Sequence, residues 1–179
     1  MDVAGAVGAA LVGCGIDRVF GVVGSGNFAV TNAMVAAGAR YVAARHEGGA
    51  ATMADAYARM TDGVAALSVH QGCGLTNALT GITEAAKSRT PLVVLAAEAT
   101  ARHSNFHVDQ PALAEAVGAR SVRITSAEDA VGQAAAAVAA ARRERCTVLL
   151  NLPLDVQPGE VPDAGAPAPP PAAPVPAAD

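Results

Sequence analysis

Short apolar runs rich in β-branched residues alternate with alanine-rich stretches of helical period along most of this 179-residue chain, and that alternation leaves few folds open. Strands are expected at 18–23, 40–43, 64–69, 92–96, 121–124 and 146–150, and helices at 3–13, 28–37, 47–60, 75–88, 110–117 and 127–143. Strands that are apolar on both sides must be covered on both sides. The expected class is therefore α/β: a single open, mostly parallel six-stranded sheet with helices on both faces. End signals agree. Asp2 and Ser126 are expected N-caps, and Gly13 and Gly38 expected stops. Pro91 precedes a strand, where its missing N–H costs little.

Apolar residues make up 52% of the chain but aromatics only 3%, so the core must be filled by Ala, Val and Leu. The length suits one domain with its own core. A formal charge of -4 provides no basic surface, and nucleic acid is not an expected partner. Apolar stretches are broken by Gly, Arg or Asp well short of a membrane span. The start Met1-Asp2-Val3-Ala4 lacks the positive charge of a signal peptide. Cys14, Cys73 and Cys146 are odd in number and widely spaced, which fits reduced thiols in a cytoplasmic protein. After Gln157 the composition turns to Pro and Ala without hydrophobic period. Residues 1–157 are therefore expected to form the domain, and 158–179 a flexible tail or linker.

Three segments carry chemistry. In Arg45-His46-Glu47-Gly48-Gly49-Ala50-Ala51, one carboxylate stands where a strand passes into a helix, the place where open α/β sheets build sites. The helix dipole would lower the Glu47 pKa. Burial among Gly48, Gly49, Ala50 and Ala51 would raise it, and proton transfer requires burial to win. Gly21-Val22-Val23-Gly24-Ser25-Gly26 also lies between strand and helix. It offers backbone N–H groups to a ligand, or is a tight turn; a dinucleotide fingerprint would need a third glycine and a downstream acid. In Ser68-Val69-His70-Gln71-Gly72-Cys73-Gly74, His70 and Gln71 fall at a sheet edge, and the glycines permit close approach. The helix that follows carries Gly74, Ala78, Gly81 and Ala85 on one stripe, a spacing that lets helices pack closely. His103 and His107 lie in a polar loop, where a surface or substrate-facing role is favoured over a metal site.

Taken together, these segments resemble the N-terminal pyrimidine-binding (Pyr) domain of thiamine diphosphate (ThDP) enzymes, in the acetolactate synthase-like and benzoylformate decarboxylase-like branch. The resembling residues are Val19-Phe20-Gly21-Val22-Val23-Gly24, Arg45-His46-Glu47 with Ala50, Ala54, Tyr57, Ala58 and Arg59, then Gly72 to Asn77, Gly81-Ile82, Ala85 and Pro91-Leu92-Val93-Val94. Leu152-Pro153-Leu154-Asp155-Val156 looks like the family's domain-ending segment.

The resemblance implies that Glu47 hydrogen-bonds N1′ of the cofactor's aminopyrimidine and favours the imino tautomer, whose nitrogen removes the C2 proton. The activated cofactor then decarboxylates a 2-oxo acid and transfers the carbanion to an acceptor. It places His70, with Glu47, among the catalytic residues. Gly24, Glu47, Gly72, Cys73 and Asn77 fall at the cofactor, and Ser25, Phe28, Gln71 and Gln110 toward the substrate. His70-Gln71-Gly72-Cys73-Gly74 stands where synthases more often carry Thr or Ser followed by Gly-Pro-Gly, a departure from simple acetolactate synthesis.

No Gly-Asp-Gly segment with a downstream Asn occurs, and this chain assigns no residue to a metal. Mg²⁺ is expected on a diphosphate-binding partner domain or subunit, and self-association is expected as well. The chain is then one subunit of a split enzyme, or a longer chain interrupted in the linker, and is inactive by itself. Small-residue stripes would suit a partner helix. The alternative is a non-catalytic regulatory or interaction module derived from the same domain.

Overall fold

Each of the first five strands is followed by a helix, and every neighbouring pair of strands runs parallel. A computed structural model describes residues 1–162. The elements are α1 (Val3–Gly13), β1 (Arg18–Gly21), α2 (Phe28–Ala36), β2 (Arg40–Ala43), α3 (Glu47–Thr61), β3 (Ala65–Val69), α4 (Cys73–Lys87), β4 (Leu92–Glu98), α5 (Gln110–Ala116), β5 (Arg120–Arg123), α6 (Ala130–Glu144) and β6 (Thr147–Pro153). They form one six-stranded sheet of order β2-β1-β3-β4-β6-β5. The expected class is what is found, with the sheet parallel throughout.

The strand pleat sorts the core into two layers. Val19, Ala66, Val93, Leu95, Val148 and Leu150 face α1, α2 and α6. Phe20, Leu67, Val69, Val94 and Leu149 face α3, α4 and the end of α5. Both faces are covered, which is why the central strands β3, β4 and β6 are buried at every residue. The chain leaves β1 toward β2 on one side and returns as β3 on the other. The loops after β1 and β3 therefore lead from the sheet's carboxyl edge to helices on opposite faces, α2 and α4, a switch point of the kind where open α/β sheets bind ligands.

Helix ends follow their capping chemistry with one correction. The Asp2 Oδ1 accepts from the Gly5 N–H at 2.8 Å. Gly38, just past α2, has φ +109, a conformation that costs glycine little. Ser126, however, does not cap α6. It accepts from the Asp129 N–H at 3.2 Å within a separate turn, and α6 starts at Ala130. The Gln133 side chain explains the delay, because its Oε1 accepts from the Thr125 N–H at 3.0 Å and fixes the chain before the helix. Strands β4 and β6 run past their expected ends because they pair with each other as far as Glu98 and Pro153.

The stripe on α4 corrects a second expectation. Gly74, Ala78, Gly81 and Ala85 are buried inside this chain, against α3. A Cβ at Gly81 would stand 2.5 Å from the Ala51 Cβ. The close approach of helices is thus already used between α3 and α4, and the stripe is closed to a partner helix. An ion pair locks the same two helices to the segment that leads into β4. Arg59 donates through Nε at 2.9 Å to Asp55, which also accepts from Thr90 Oγ1 at 2.6 Å, and Arg59 reaches Glu84 at 3.2 Å. The hydrogen bonds to Asp55 and then Glu84 raise the Arg59 pKa.

Hydrogen bonding continues past Gln157, the expected end of the domain. The Val3 and Ala4 N–H groups donate to the carbonyls of Gly159 (2.8 Å) and Gln157 (3.2 Å), and the Val161 N–H donates to Met1 O at 3.0 Å. The free N–H groups of the α1 start need acceptors, and this segment supplies them. Residues 163–179 of the expected tail lie outside the described residues.

Within α6, one glycine has no packing reason to be glycine. A Cβ at Gly132 in α6 would meet nothing within 4 Å. Gly132→Ala is therefore expected to raise unfolding stability by about 0.4–1 kcal/mol, through lost freedom of the unfolded chain. A urea titration that showed a loss would contradict this.

Candidate functional site

Strand β2 ends at Ala43, and Glu47 opens α3 three residues beyond Ala44. His46 is the N-cap: its Nδ1 accepts from the Gly48 N–H at 3.0 Å. This local bond fixes the backbone and places Glu47 in the first helical turn. The carboxylate is half-buried. Its Oε2 accepts from Asn77 Nδ2 at 3.1 Å. Oε1 has no hydrogen bond among the described residues, and even a Cβ on Gly74 would stop 3.6 Å away. The small-residue surroundings enclose Glu47 only in part: Ala50 and Ala51 are buried, but Gly48 is half-buried and Gly49 exposed. One carboxylate oxygen is hydrogen-bonded, and the other, beside Gly74, is without a hydrogen bond among the described residues.

Gly74 stands between Glu47 and His70, since its Cβ would lie 3.0 Å from the His70 Cβ. His70 follows β3 and is half-buried. Its Nδ1 accepts from the Gly26 N–H at 3.3 Å, and Phe106 meets the ring edge-on with centroids 5.3 Å apart. The loop after β1 presses onto this ring. A Cβ at Gly24 would come 2.7 Å from the imidazole, and one at Gly26 would reach 2.8 Å from the Ala97 Cβ. Gly24 is thus a packing requirement of the loop against His70, and Gly26 one against Gln71 and Ala97. Asn27, 1% exposed, ties that loop down. It accepts from the Gly24 N–H at 2.8 Å and donates to Val22 O (3.2 Å) and Ser68 Oγ (2.9 Å).

Gly72 is the N-cap of α4 with φ +65 and ψ -112, and a Cβ there would strike the Phe106 carbonyl oxygen at 2.7 Å. Cys73 and Asn77 are exposed on the first turns of that helix. Ser25, in the loop after β1, and Phe28, at the start of α2, are exposed. Gln71 and Gln110 are buried, at 4% and 1% exposure. Gln110 donates to Ala97 O at 2.7 Å, and the Oε1 of each amide lacks a partner among the described residues. His103 and His107 are exposed in the 101–107 loop, with His107 Nδ1 2.9 Å from Ala99 O.

The structure thus brings Glu47, Asn77, Gly74, His70 and Gly24 together beyond the carboxyl ends of β1, β2 and β3, with Gly72 next to them at the start of α4. Gln71 and Gln110 are buried, whereas Ser25, Phe28 and Cys73 are exposed. Sequence reasoning missed three supporting residues. Asn27 carried a signal, as an Asn closing a Gly-Ser-Gly turn. Phe106 and Gln157 carried none. All three cysteines are free; burial pushes the Cys14 and Cys146 thiols up. A hollow of about 540 Å³ lined by Pro111, Glu115, Arg120, Glu144 and Cys146 lies at the opposite edge, where β5 and β6 begin. It holds none of the candidate residues. No helix among the described residues is long and apolar enough to cross a membrane.

Comparison with known proteins adds the family. Residues 1–117 match the family described as thiamine pyrophosphate enzyme, N-terminal TPP binding domain. A putative acetolactate synthase large subunit of Mycobacterium tuberculosis is 36% identical over 135 residues, 72% of this chain and 26% of that protein. The acetolactate synthase large subunit of Buchnera aphidicola is 36% identical over 89 residues, 49% of this chain and 16% of that one. The solved thiamine diphosphate-dependent 4-hydroxybenzoylformate decarboxylase of Rhodococcus jostii RHA1 superposes with a TM-score of 0.80 at 27% identity. The superposition covers 90% of this chain and 32% of that one. The chain therefore spans between a sixth and a third of the length of these relatives. With the fold and these matches in agreement, the chain belongs to the thiamine pyrophosphate enzymes, of which it represents the N-terminal, pyrimidine-binding domain.

Proposed function

We propose that this chain supplies the pyrimidine-binding half of a ThDP site in an enzyme that decarboxylates a 2-oxo acid and passes the remaining unit to an acceptor, as in acetolactate synthase-like carboligation. The observation that carries the reading is the Glu47 carboxylate, with Oε2 held by Asn77 and Oε1 beside Gly74 without a hydrogen bond among the described residues. A buried ring nitrogen needs a strong acceptor, and a flat ring needs neighbours without side chains; both are present. Bound ThDP would supply the electron sink for decarboxylation.

In this reading Glu47 Oε1 would share a proton with the cofactor's N1′, accepting from N1′–H when that nitrogen is protonated, and Asn77 holds the other carboxylate oxygen. The main chain at Gly24 and Gly72 would border the cofactor, with Cys73 exposed beside them. His70 moves a proton on the substrate side through Nε2. Ser25 and Phe28 face the substrate, with Gln71 and Gln110 supporting from below. Among the described residues, no three or more His, Cys, Asp or Glu side chains stand together as a metal site. Mg²⁺ with the diphosphate is assigned to a partner domain or subunit, and self-association accompanies it. Free thiols fit a cytoplasmic setting.

Calorimetric titration of the 179-residue chain with ThDP and Mg²⁺, alone and with a diphosphate-binding chain, tests the reading. Binding is expected to be weak alone and to tighten by more than about tenfold (1.4 kcal/mol) with the partner, where turnover of a 2-oxo acid also begins. Strong ThDP-dependent turnover by the chain alone would refute the half-site.

A further inference from the structure

We propose that Gln157 is a positioning residue for His70: it fixes Gly26, and Gly26 in turn sets which ring nitrogen of His70 carries the proton. A backbone N–H can only donate. The Gly26 N–H directed at His70 Nδ1 (3.3 Å) therefore makes Nδ1 the acceptor and leaves the proton of the neutral ring on Nε2. No hydrogen bond reaches Nε2 among the described residues, so this nitrogen remains for a ligand at the switch point. The edge-on contact with Phe106 limits rotation of the ring.

What holds Gly26 is the end of the domain. The Gln157 side chain is 9% exposed. Its Nε2 donates to Gly26 O at 3.0 Å and to Leu152 O at 3.1 Å, both in buried surroundings. One amide thus ties the loop after β1 to the exit from β6, across 131 residues of sequence. The next peptide is held as well, through the Asn27 side chain. Gly26 has no side chain to anchor it. Without Gln157, its carbonyl loses its only cross-chain donor among the described residues, and the N–H of the same residue is free to swing from the imidazole.

The remaining backbone bonds of the 157–161 segment run to Met1 and the start of α1. The segment that leads out of the domain is therefore joined through one side chain to the candidate acid–base group. The significance for catalysis rests on the reading of His70 above; the ring tautomer does not.

Long-range ¹H–¹⁵N correlation of the histidine rings in the 179-residue chain, at a pH where imidazole is neutral, tests this directly. His70→Gln identifies the signal among the four histidines. The wild type is expected to show His70 as a single Nε2–H form. In Gln157→Leu the two ring nitrogens are expected to move toward a mixture of tautomers, and the Gly26 amide to exchange with solvent about tenfold faster. Exchange in β3 should be unchanged. Should Gln157→Leu fail to fold, Gln157→Met keeps the length of the side chain but donates to neither carbonyl, and the same readings apply. A wild-type His70 protonated on Nδ1 would overturn the proposal. So would a variant in which Gly26 exchange accelerates while the His70 nitrogens stay where they were. Absence of ThDP-dependent turnover would overturn the functional reading and leave this result standing.

Discussion

Glu47→Gln in the assembled enzyme is expected to slow exchange of the bound cofactor's C2 proton by about 10²–10⁴-fold, the usual worth of a positioned acid–base group. The substitution keeps the size of the side chain and an oxygen for Asn77, so the bond at 3.1 Å can re-form. What it removes is the negative charge at Oε1 and the ability to carry a proton toward the ring nitrogen. Because the side chain is half-buried and caps no helix itself, unfolding stability is expected to change by less than about 1 kcal/mol. The functional loss would then stand well apart from any structural one. Quenched-flow proton NMR of the cofactor reads the exchange rate. An unchanged rate in a complex that still forms would remove Glu47 from the chemistry and favour the alternative, a module that pairs with a catalytic relative without contributing to its reaction.

Gly21→Ala is expected to destabilise the fold by about 3 kcal/mol or more, at the upper end of overpacking effects. Gly21 ends β1 in register with Ser68 of β3. A Cβ there would lie 2.3 Å from the Ser68 carbonyl oxygen and 3.2 Å from its carbon. Those are backbone atoms of a strand buried on both faces, so no side-chain rotation relieves the contact. The two strands must part, and Ser68 would carry away its bonds to Asn27 (2.9 Å) and Thr31 (2.8 Å). Urea unfolding measures the loss; a change below about 1 kcal/mol would mean that β1 and β3 separate freely there. The contrast with Gly132→Ala, where a methyl group meets open space, makes the pair a test of the packing and not of glycine as such.

The folding pattern was legible because it rests on local periodicity. Apolar strands such as Leu92–Glu98 admit no solvent-facing side, and Asp2 and Gly38 punctuate helices by chemistry contained in a few neighbouring residues. The readings of Ser126 and of the α4 stripe failed where a distant or later group intervened. Ser126 reads as a cap until the Gln133 side chain claims Thr125. The α4 stripe reads as open to a partner until Ala51 fills it. The 157 boundary rests on composition, whereas the hydrogen bonding of Gly159 and Val161 to the start of the chain depends on where Met1 and Val3 have folded.

Sequence by itself determined the parallel α/β class, the strand-to-helix junction at Glu47 and the family. Each depends on residues close together in the chain or on a pattern of types along it. Tertiary structure alone decided which oxygen of Glu47 is hydrogen-bonded, which nitrogen of His70 accepts, and that Gln157 reaches Gly26. Those outcomes depend on distances between loops 30 to 131 residues apart, and such distances exist only once the sheet has set its strands side by side.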